Sequence, residues 1–179
     1  MVFDFLNHIN LKAAMWIIPI IFFVHEMEEW NILDWYKCTY CPPPPSTKLS
    51  CRIWLFLISI FGFIITSIAY IISDDTISSG VILVFIVFST FNGLQHIYWT
   101  IAFRKYAPGV IFSSLGIFAG VFITAVILSK DFISAGYIII LYIITIPFML
   151  ETFRAKNKLI RSFAHLHSLT LKIVDFLER

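Results

Sequence analysis

The chain has 179 residues, of which 59% are hydrophobic and only 13% are charged, and its mean hydropathy is +0.88. A soluble domain carries about 25% charged residues, so the composition excludes an ordinary soluble protein and indicates a helical membrane protein with several spans. The net charge of +2 does not indicate nucleic-acid binding, because the basic residues follow the ends of the spans.

The hydrophobic runs predict an all-α fold. Residues 1–154 form an integral membrane bundle of five transmembrane helices, and residues 155–179 form an amphipathic interfacial helix. Residues 31–50 are predicted to be a loop, because four consecutive prolines favour extended backbone. Residues 74–80 are predicted to be a tight turn. The five predicted spans are residues 13–30, 51–73, 81–103, 108–129 and 132–151.

The basic residues predict the orientation. Five spans place the termini on opposite sides, and a cytoplasmic C-terminus leaves only Lys12 and Lys130 of the 13 basic residues outside. Since cytoplasmic loops carry the excess of Lys and Arg, we expect a multi-pass membrane protein with its N-terminus outside. The first span is interpreted as a retained helix, because no small-residue cleavage site follows it.

Ionisable residues are concentrated at the end of the first predicted span. His25, Glu28 and Glu29 follow the i, i+3, i+4 spacing that puts side chains on one helix face, whereas Glu26 is expected to lie off it. An ionisable group in a span is costly and is retained where it faces a cavity or a partner. This face is therefore the first candidate site.

Further polar residues are predicted at the same depth on two other spans. Asn92 and His96 are four residues apart near the end of the third span, and Glu151 ends the fifth. Because helices 1, 3 and 5 run in the same direction, all these groups fall in the cytoplasmic half of the bilayer. The topology thus predicts one site between three helices.

Two imidazoles and several carboxylates suit a divalent transition metal, namely zinc, iron or manganese. A carboxylate left uncoordinated would act as a general acid or base, and Asn92 would orient a ligand or substrate. The predicted metal ligands are His25, Glu28, Glu29, His96 and Glu151, and the predicted catalytic residues are Glu28, Glu29 and Asn92.

Structural roles remain open for several of these residues. The acidic cluster also fits a helix end that meets water, and His96 and Asn92 also fit polar contacts between helices. Glu151 also fits a pair with Arg154. The role of Cys38, Cys41 and Cys51 is left open between packing, metal binding and redox chemistry.

The arrangement resembles a known family. His25-x-x-Glu28-Glu29, Asn92-x-x-x-His96 and the later Tyr106-x-Pro108-Gly109 are similar to the pattern of the HXXEE family of small multi-span membrane proteins. The resemblance covers about residues 13–151 and implies that these residues form the site. It implies no reaction, because the family has no established activity.

The function predicted is a membrane-embedded metal-dependent enzyme, of hydrolase or oxidoreductase type. Its partners would be membrane lipid and a lipid or apolar small-molecule substrate reaching the site from the cytoplasmic leaflet. The alternative is a proton- or cation-coupled transporter that uses the same carboxylates as a relay. A third interpretation is an accessory subunit whose polar cluster only holds the bundle together. The metal, the reaction, the substrate and the oligomeric state, a homo-oligomer included, stay open.

Overall fold

The computed structural model describes residues 2–178, and that part of the chain is all-helical. Positions 1 and 179, which end the two predicted ranges, lie outside the described residues. The helices are α1 (Val2–Asn7), α2 (Leu11–Ala14), α3 (Ile17–Glu28), α4 (Ile32–Thr39), α5 (Lys48–Ile71), α6 (Asp75–Phe103), α7 (Val110–Ser129), α8 (Ala135–Ala155) and α9 (Arg161–Leu177).

Four helices, α5 to α8, are long and apolar enough to cross a membrane. They correspond to the predicted spans 51–73, 81–103, 108–129 and 132–151. The all-helical class and the membrane character are confirmed, whereas the predicted count of five spans is not.

The predicted first span, residues 13–30, is not one helix. It is interrupted at Met15 and Trp16, and α3 has only 12 residues. Twelve helical residues extend about 18 Å, which is shorter than the hydrocarbon core of a bilayer at about 30 Å. The first segment is therefore a broken helix in place of the continuous one that was expected.

This broken segment nevertheless extends along the length of α5. At one end, Lys12 Nζ donates to the carbonyl oxygen of Ile72 at 2.6 Å. At the other end, Arg52 Nε donates to the carbonyl oxygen of Trp30 at 3.4 Å. Twenty residues of α5 separate Arg52 from Ile72, a rise of about 30 Å. Residues 12–30 thus connect the same two levels as α5 does.

Lys12 fixes the first of these levels. Its ammonium group also donates to the carbonyl oxygen of Ala69 at 2.9 Å and to Ser78 Oγ at 2.7 Å. We expect Lys12→Met to lower the free energy of unfolding by about 1–3 kcal/mol, because two carbonyl groups at the end of α5 lose a charged donor. Thermal unfolding in detergent measures this. Lys130→Met, which removes one exposed bond to Asn7, is the control, and equal effects of the two changes would contradict the prediction.

The predicted turn at residues 74–80 is wrong, because α6 already begins at Asp75. Asp74 caps the helix by accepting from the backbone N–H of Ile77 at 2.8 Å. Ser78 is buried and donates to the carbonyl oxygen of Ala69 at 2.7 Å. The serines and Gly80 therefore belong to a helix packed closely against the end of α5.

The predicted loop of residues 31–50 also contains a helix, α4. Its buried face presents Tyr36 and, just beyond the helix, Tyr40, while Trp35 contacts the ring of Trp99 on α6 at a centroid distance of 5.4 Å. Burial of large aromatic side chains accounts for order in a segment whose prolines favoured an extended chain. The prolines themselves follow α4.

The packing order places α6 at the centre of the bundle. It contacts α5, α7 and α8, whereas α3 packs against α5 and α7. Two hydrogen bonds connect α6 to α8: Tyr137 to the carbonyl oxygen of Gly80 at 3.4 Å, and Tyr98 to that of Phe153 at 2.9 Å. The end of α3 lies beside the C-terminal part of α6, where Glu29 is 2.8 Å from His96. The loop between α6 and α7 is next to both, since Gly109 contacts His25.

The predicted amphipathic tail contains α9, which packs against α5. His167, Thr170 and Val174 form its buried face. Leu169, Ile173 and Phe176 form a separate exposed apolar stripe. The helix is thus docked on the bundle through one face. Its position at the membrane surface, to which the second, apolar face would bind, stays a prediction.

We expect His167 to make the docking of α9 dependent on pH. It contacts Ser46 Oγ through Nδ1 at 2.8 Å, and burial lowers the pKa of His167 to about 4, although the charge of Glu29 opposes this shift. Between pH 6.5 and pH 4 the released helix takes up a proton that the docked helix does not. We therefore expect docking to weaken by about 3 kcal/mol as the pH falls through this range.

Limited proteolysis of α9 across this pH range measures the effect. His167→Gln should flatten the pH dependence, and the exposed His165→Gln should leave it unchanged. An unchanged slope in His167→Gln would show that another group is responsible.

Candidate functional site

Three predicted residues meet where α3 ends beside α6. Each of His25, Glu29 and His96 offers a ligating atom, and these atoms all lie within 4.8 Å of one another. Their side chains are 1%, 5% and 2% exposed. Among the side chains of residues 5–178, which the structure describes, this is the one group of three His, Cys, Asp or Glu residues close enough to share a metal ion.

The short distances in this group are not ordinary hydrogen bonds. Oε1 of Glu29 lies 2.8 Å from Nε2 of His96 and 3.3 Å from Nε2 of His25. Neither contact is aligned as a hydrogen bond. Glu29 Oε1 and His25 Nε2 are therefore both buried without a hydrogen-bond partner. The site therefore brings polar atoms together and leaves them unsatisfied.

The other nitrogen of His25 determines what Nε2 can do. Nδ1 lies 2.9 Å from the carbonyl oxygen of Gly109. A carbonyl oxygen only accepts, so Nδ1 carries the hydrogen, and Nε2 of the neutral ring has a free lone pair. Since this lone pair is close to a carboxylate oxygen, either a proton or a cation is needed between them. A backbone partner at the remote nitrogen is also the usual support of a metal-binding histidine.

Gly109 is at this position for a steric reason. Its φ is 91°, in the left-handed region that favours glycine. A Cβ atom there would lie 2.5 Å from Cε1 of His25 and 2.6 Å from Oε1 of Glu29. The loop between α6 and α7 can approach the site only because this residue has no side chain.

Glu28 lies apart from the group of three. Its carboxylate accepts a hydrogen bond from the Tyr106 hydroxyl and one from the backbone N–H of Phe112 at 3.1 Å. It also lies 3.4 Å from the N–H of Ile111. The first N–H groups of a helix have no partner within the helix, and Gly109 offers no capping side chain. Glu28 therefore supplies the cap of α7 from another helix.

Glu26 was expected off the shared face, and it is not a member of the group of three, but it lies buried beside that group. Its side chain is 2% exposed, and Oε1 lies 3.7 Å from Nε2 of His25. The helical period gave no signal for it, because α3 is covered by α5 on one side and α7 on the other. The signal available in the sequence was an acidic residue within a predicted span, which is costly unless it serves a site.

The two remaining predicted residues have different positions. Asn92 lines the same cavity as His96, and its Oδ1 is buried without a partner. Glu151 is exposed on α8 and is not in the group of three. Thr152, its neighbour, is buried and lines the cavity.

A cavity of about 270 Å³ adjoins the group. Glu26, Glu29 and His96 form part of its wall, and α5, α8 and α9 supply mainly apolar side chains. A small molecule can therefore reach the carboxylates in a largely apolar environment.

The donor set suits a divalent transition metal. Nitrogen and oxygen ligands around zinc lie at about 2.0–2.2 Å, which puts tetrahedral neighbours about 3.3 Å apart. The separation of 3.3 Å between His25 Nε2 and Glu29 Oε1 agrees with this, whereas the 2.8 Å between His96 Nε2 and Glu29 Oε1 would have to widen by about 0.5 Å around an ion. Three protein ligands would leave a position open to the cavity, which is typical of catalytic centres.

The cysteines do not extend this site. Cys38 and Cys41 are exposed, Cys51 is buried, and all three are free. In the described part of the chain they join no group of three ligating side chains.

A family model, described as a protein of unknown function with an HXXEE motif, matches residues 16–126. The match includes α3, α6 and the loop with Tyr106 and Gly109, and it ends before α8. No curated protein and no solved structure matches the chain.

Proposed function

The chain belongs to the HXXEE family, whose function is unknown, and we propose that this member is a membrane-embedded metal-dependent enzyme. It would act on a lipid or apolar small molecule from the cytoplasmic leaflet. His25, Glu29 and His96 would hold a divalent zinc, iron or manganese ion. The observation that supports this most is the free lone pair of His25 Nε2 facing Glu29 Oε1 in a buried site.

The charges support a cation at this place. Glu26 and Glu29 are both almost fully buried, and the ion-pair partners of both among the described residues are histidines. Buried carboxylates need a proton or a positive partner. A divalent ion neutralises both carboxylates and also uses the lone pairs of the two imidazoles.

The residues divide into roles around such an ion. When bound, the metal would act as a Lewis acid or activate a water molecule. Glu26, beside the group and in the cavity wall, would hold and deliver a proton. Asn92 would orient the polar end of the substrate, and Glu28 would fix the distance between α3 and α7. The predicted ligand roles of Glu28 and Glu151 are not part of this proposal, because their side chains lie elsewhere.

The proposal includes five crossings, with residues 12–30 as a broken first one, and a cytoplasmic C-terminus. The support is the position of this segment along α5 and the concentration of basic residues on one side. A reporter inserted at Asp75 should lie outside, and one placed after Glu178 should lie inside. A cytoplasmic reporter at Asp75 would contradict the predicted orientation, and with it the argument that the site residues lie at the same depth in the bilayer.

A proton- or cation-coupled transporter is the second candidate. It is favoured by one observation: Nε2 of His25 lies near the carboxylates of both Glu26 and Glu29, so a proton on this nitrogen would serve as the cation. A protonated His25 would give a relay with no metal.

Chelation distinguishes the two candidates. A ligand that binds only the folded form stabilises it, so a strong chelator should lower the Tm of the purified protein and the correct metal should restore it. A relay predicts no effect of the chelator, and it predicts that Glu26→Gln abolishes proton flux in vesicles. A Tm that does not respond to the chelator, together with proton flux, would overturn the enzyme proposal.

A further inference from the structure

An apolar groove between α6 and α8 adjoins the cavity beside the site. The groove has a volume of about 340 Å³ and is lined on α6 by residues that include Val84 and Phe88, and on α8 by residues that include Ile144 and Phe148. Phe88 and Phe148 line the cavity as well as the groove. The groove and the cavity therefore adjoin at shared phenylalanine rings, and movement of these rings would join the groove to the His and Glu side chains.

The groove opens sideways, towards the lipid. Val84, Ile144 and Phe148 are 50%, 59% and 53% exposed. The hydrogen bonds of Tyr137 and Tyr98 connect α6 and α8 above and below this opening. The two helices thus frame a lateral entrance between fixed ends.

The direction of the groove matches that of a lipid in one leaflet. The middle of α6 is Ser89; Val84 lies about 7 Å before it and His96 about 10 Å after it, a rise of about 18 Å between Val84 and His96. His96 is seven residues, or about 10 Å, from the end of α6 at Phe103. A chain in the groove, with its polar end at the site, would point towards the middle of α6 and reach slightly past it, so a lipid of the cytoplasmic leaflet could enter without turning over.

The polar end of the cavity limits the head group. In the described residues, neither the cavity nor the groove is lined by a lysine or arginine, whereas Glu26 and Glu29 line the cavity. With a divalent ion bound, the carboxylates of Glu26 and Glu29 already balance its charge, so a negatively charged head would add an uncompensated charge to a largely apolar cavity. Asn92 Oδ1 needs a donor, and the Thr152 hydroxyl, on a side chain only 4% exposed, also lacks a partner. A hydroxyl group satisfies both, because it donates and accepts.

We propose that the substrate is an amphiphile with an uncharged, hydroxyl-bearing head, which enters between α6 and α8 and lies with an apolar chain in the groove. This inference rests on the proposed function, since it names the substrate of that site. It distinguishes this substrate class from phospholipids and from ionised fatty acids.

Photolabelling of the full chain in phosphatidylcholine vesicles tests it. The probe is a long-chain alcohol with a diazirine in the middle of the chain. Labels should concentrate on the facing stretches of α6 and α8, and excess unlabelled alcohol should lower labelling about tenfold while the fatty acid of the same length should not. Labels spread over all lipid-facing helices, or equal competition by the fatty acid, would overturn the inference.

Two adjacent residues of α8 provide a matched pair. Ile144→Trp places a large ring in the groove, whereas Ile143→Trp makes the same change at a residue that is 56% exposed and does not line it. Labelling should fall about tenfold in the first variant and stay unchanged in the second. Equal labelling in both would overturn the inference.

The metal content of the same samples separates this inference from the proposed function. A bound metal without groove labelling would overturn the substrate class and leave the metal centre in place. Groove labelling without any metal would leave the amphiphile site in place and overturn the enzyme.

Discussion

Gly109→Ala is expected to abolish metal binding and to destabilise the protein, although it adds only one methyl group and lies 13 residues along the chain from the nearest proposed ligand, His96. The new Cβ would lie 2.5 Å from Cε1 of His25 and 2.6 Å from Oε1 of Glu29. A left-handed backbone costs a non-glycine residue about 1–2 kcal/mol, and the displacement of two site residues adds to this. The Tm and the metal content of the purified variant measure both effects.

Gly136→Ala is the control for this change. Gly136 lies in the first turn of α8, and the nearest atom to its added Cβ is Ser134 Oγ at 3.7 Å, an ordinary contact. Alanine is favoured over glycine in a helix, so the Tm should stay the same or rise. A Gly109→Ala variant with wild-type Tm and metal content would show that the loop does not press against the site.

His25→Ala and His96→Ala are each expected to weaken the binding of a divalent metal by more than about 100-fold. Loss of even a residue that only supports a metal ligand weakens binding by about 10–100-fold, and these two residues would be ligands. Titration of the metal-free protein with Co²⁺, followed by its visible absorption, measures the affinity. His165→Ala, an exposed histidine on α9, should bind as the wild type does.

Tyr106→Phe tests, in the same assay, whether a change that destabilises the fold also lowers the metal affinity. It removes the hydroxyl that donates to Glu28 and leaves the group of three intact. We expect a lower Tm with little change in metal affinity. Wild-type affinity in both histidine variants would show that the imidazoles do not bind the ion.

The part of the site that could be predicted from sequence depended on depth along the bilayer. Spans running in one direction put His25, Glu29 and His96 at one level, and the structure brings these three residues together. The family resemblance predicted from the same residues is confirmed by the match over residues 16–126. Depth alone also predicted Glu151, whose exposed position on α8 depends on how that helix is rotated.

The remaining features depended on contacts between distant segments. The three-residue spacing put Glu28 on the face of His25, but the unpaired N–H groups at the start of α7 bind its carboxylate. Ser78 and Gly80 are typical of turns, and their position in α6 depends on packing against the end of α5. α4 depends on aromatic contacts with α6, which no local pattern shows.

Elemental analysis of the full-length protein, purified without chelator, tests the central claim most directly. The proposed centre predicts about one divalent transition metal ion per chain in the wild type and none in His96→Ala, with His165→Ala equal to the wild type. A wild-type protein that is folded, exposed to zinc, iron and manganese, and still free of metal would contradict the metal centre and leave the proton relay as the better account.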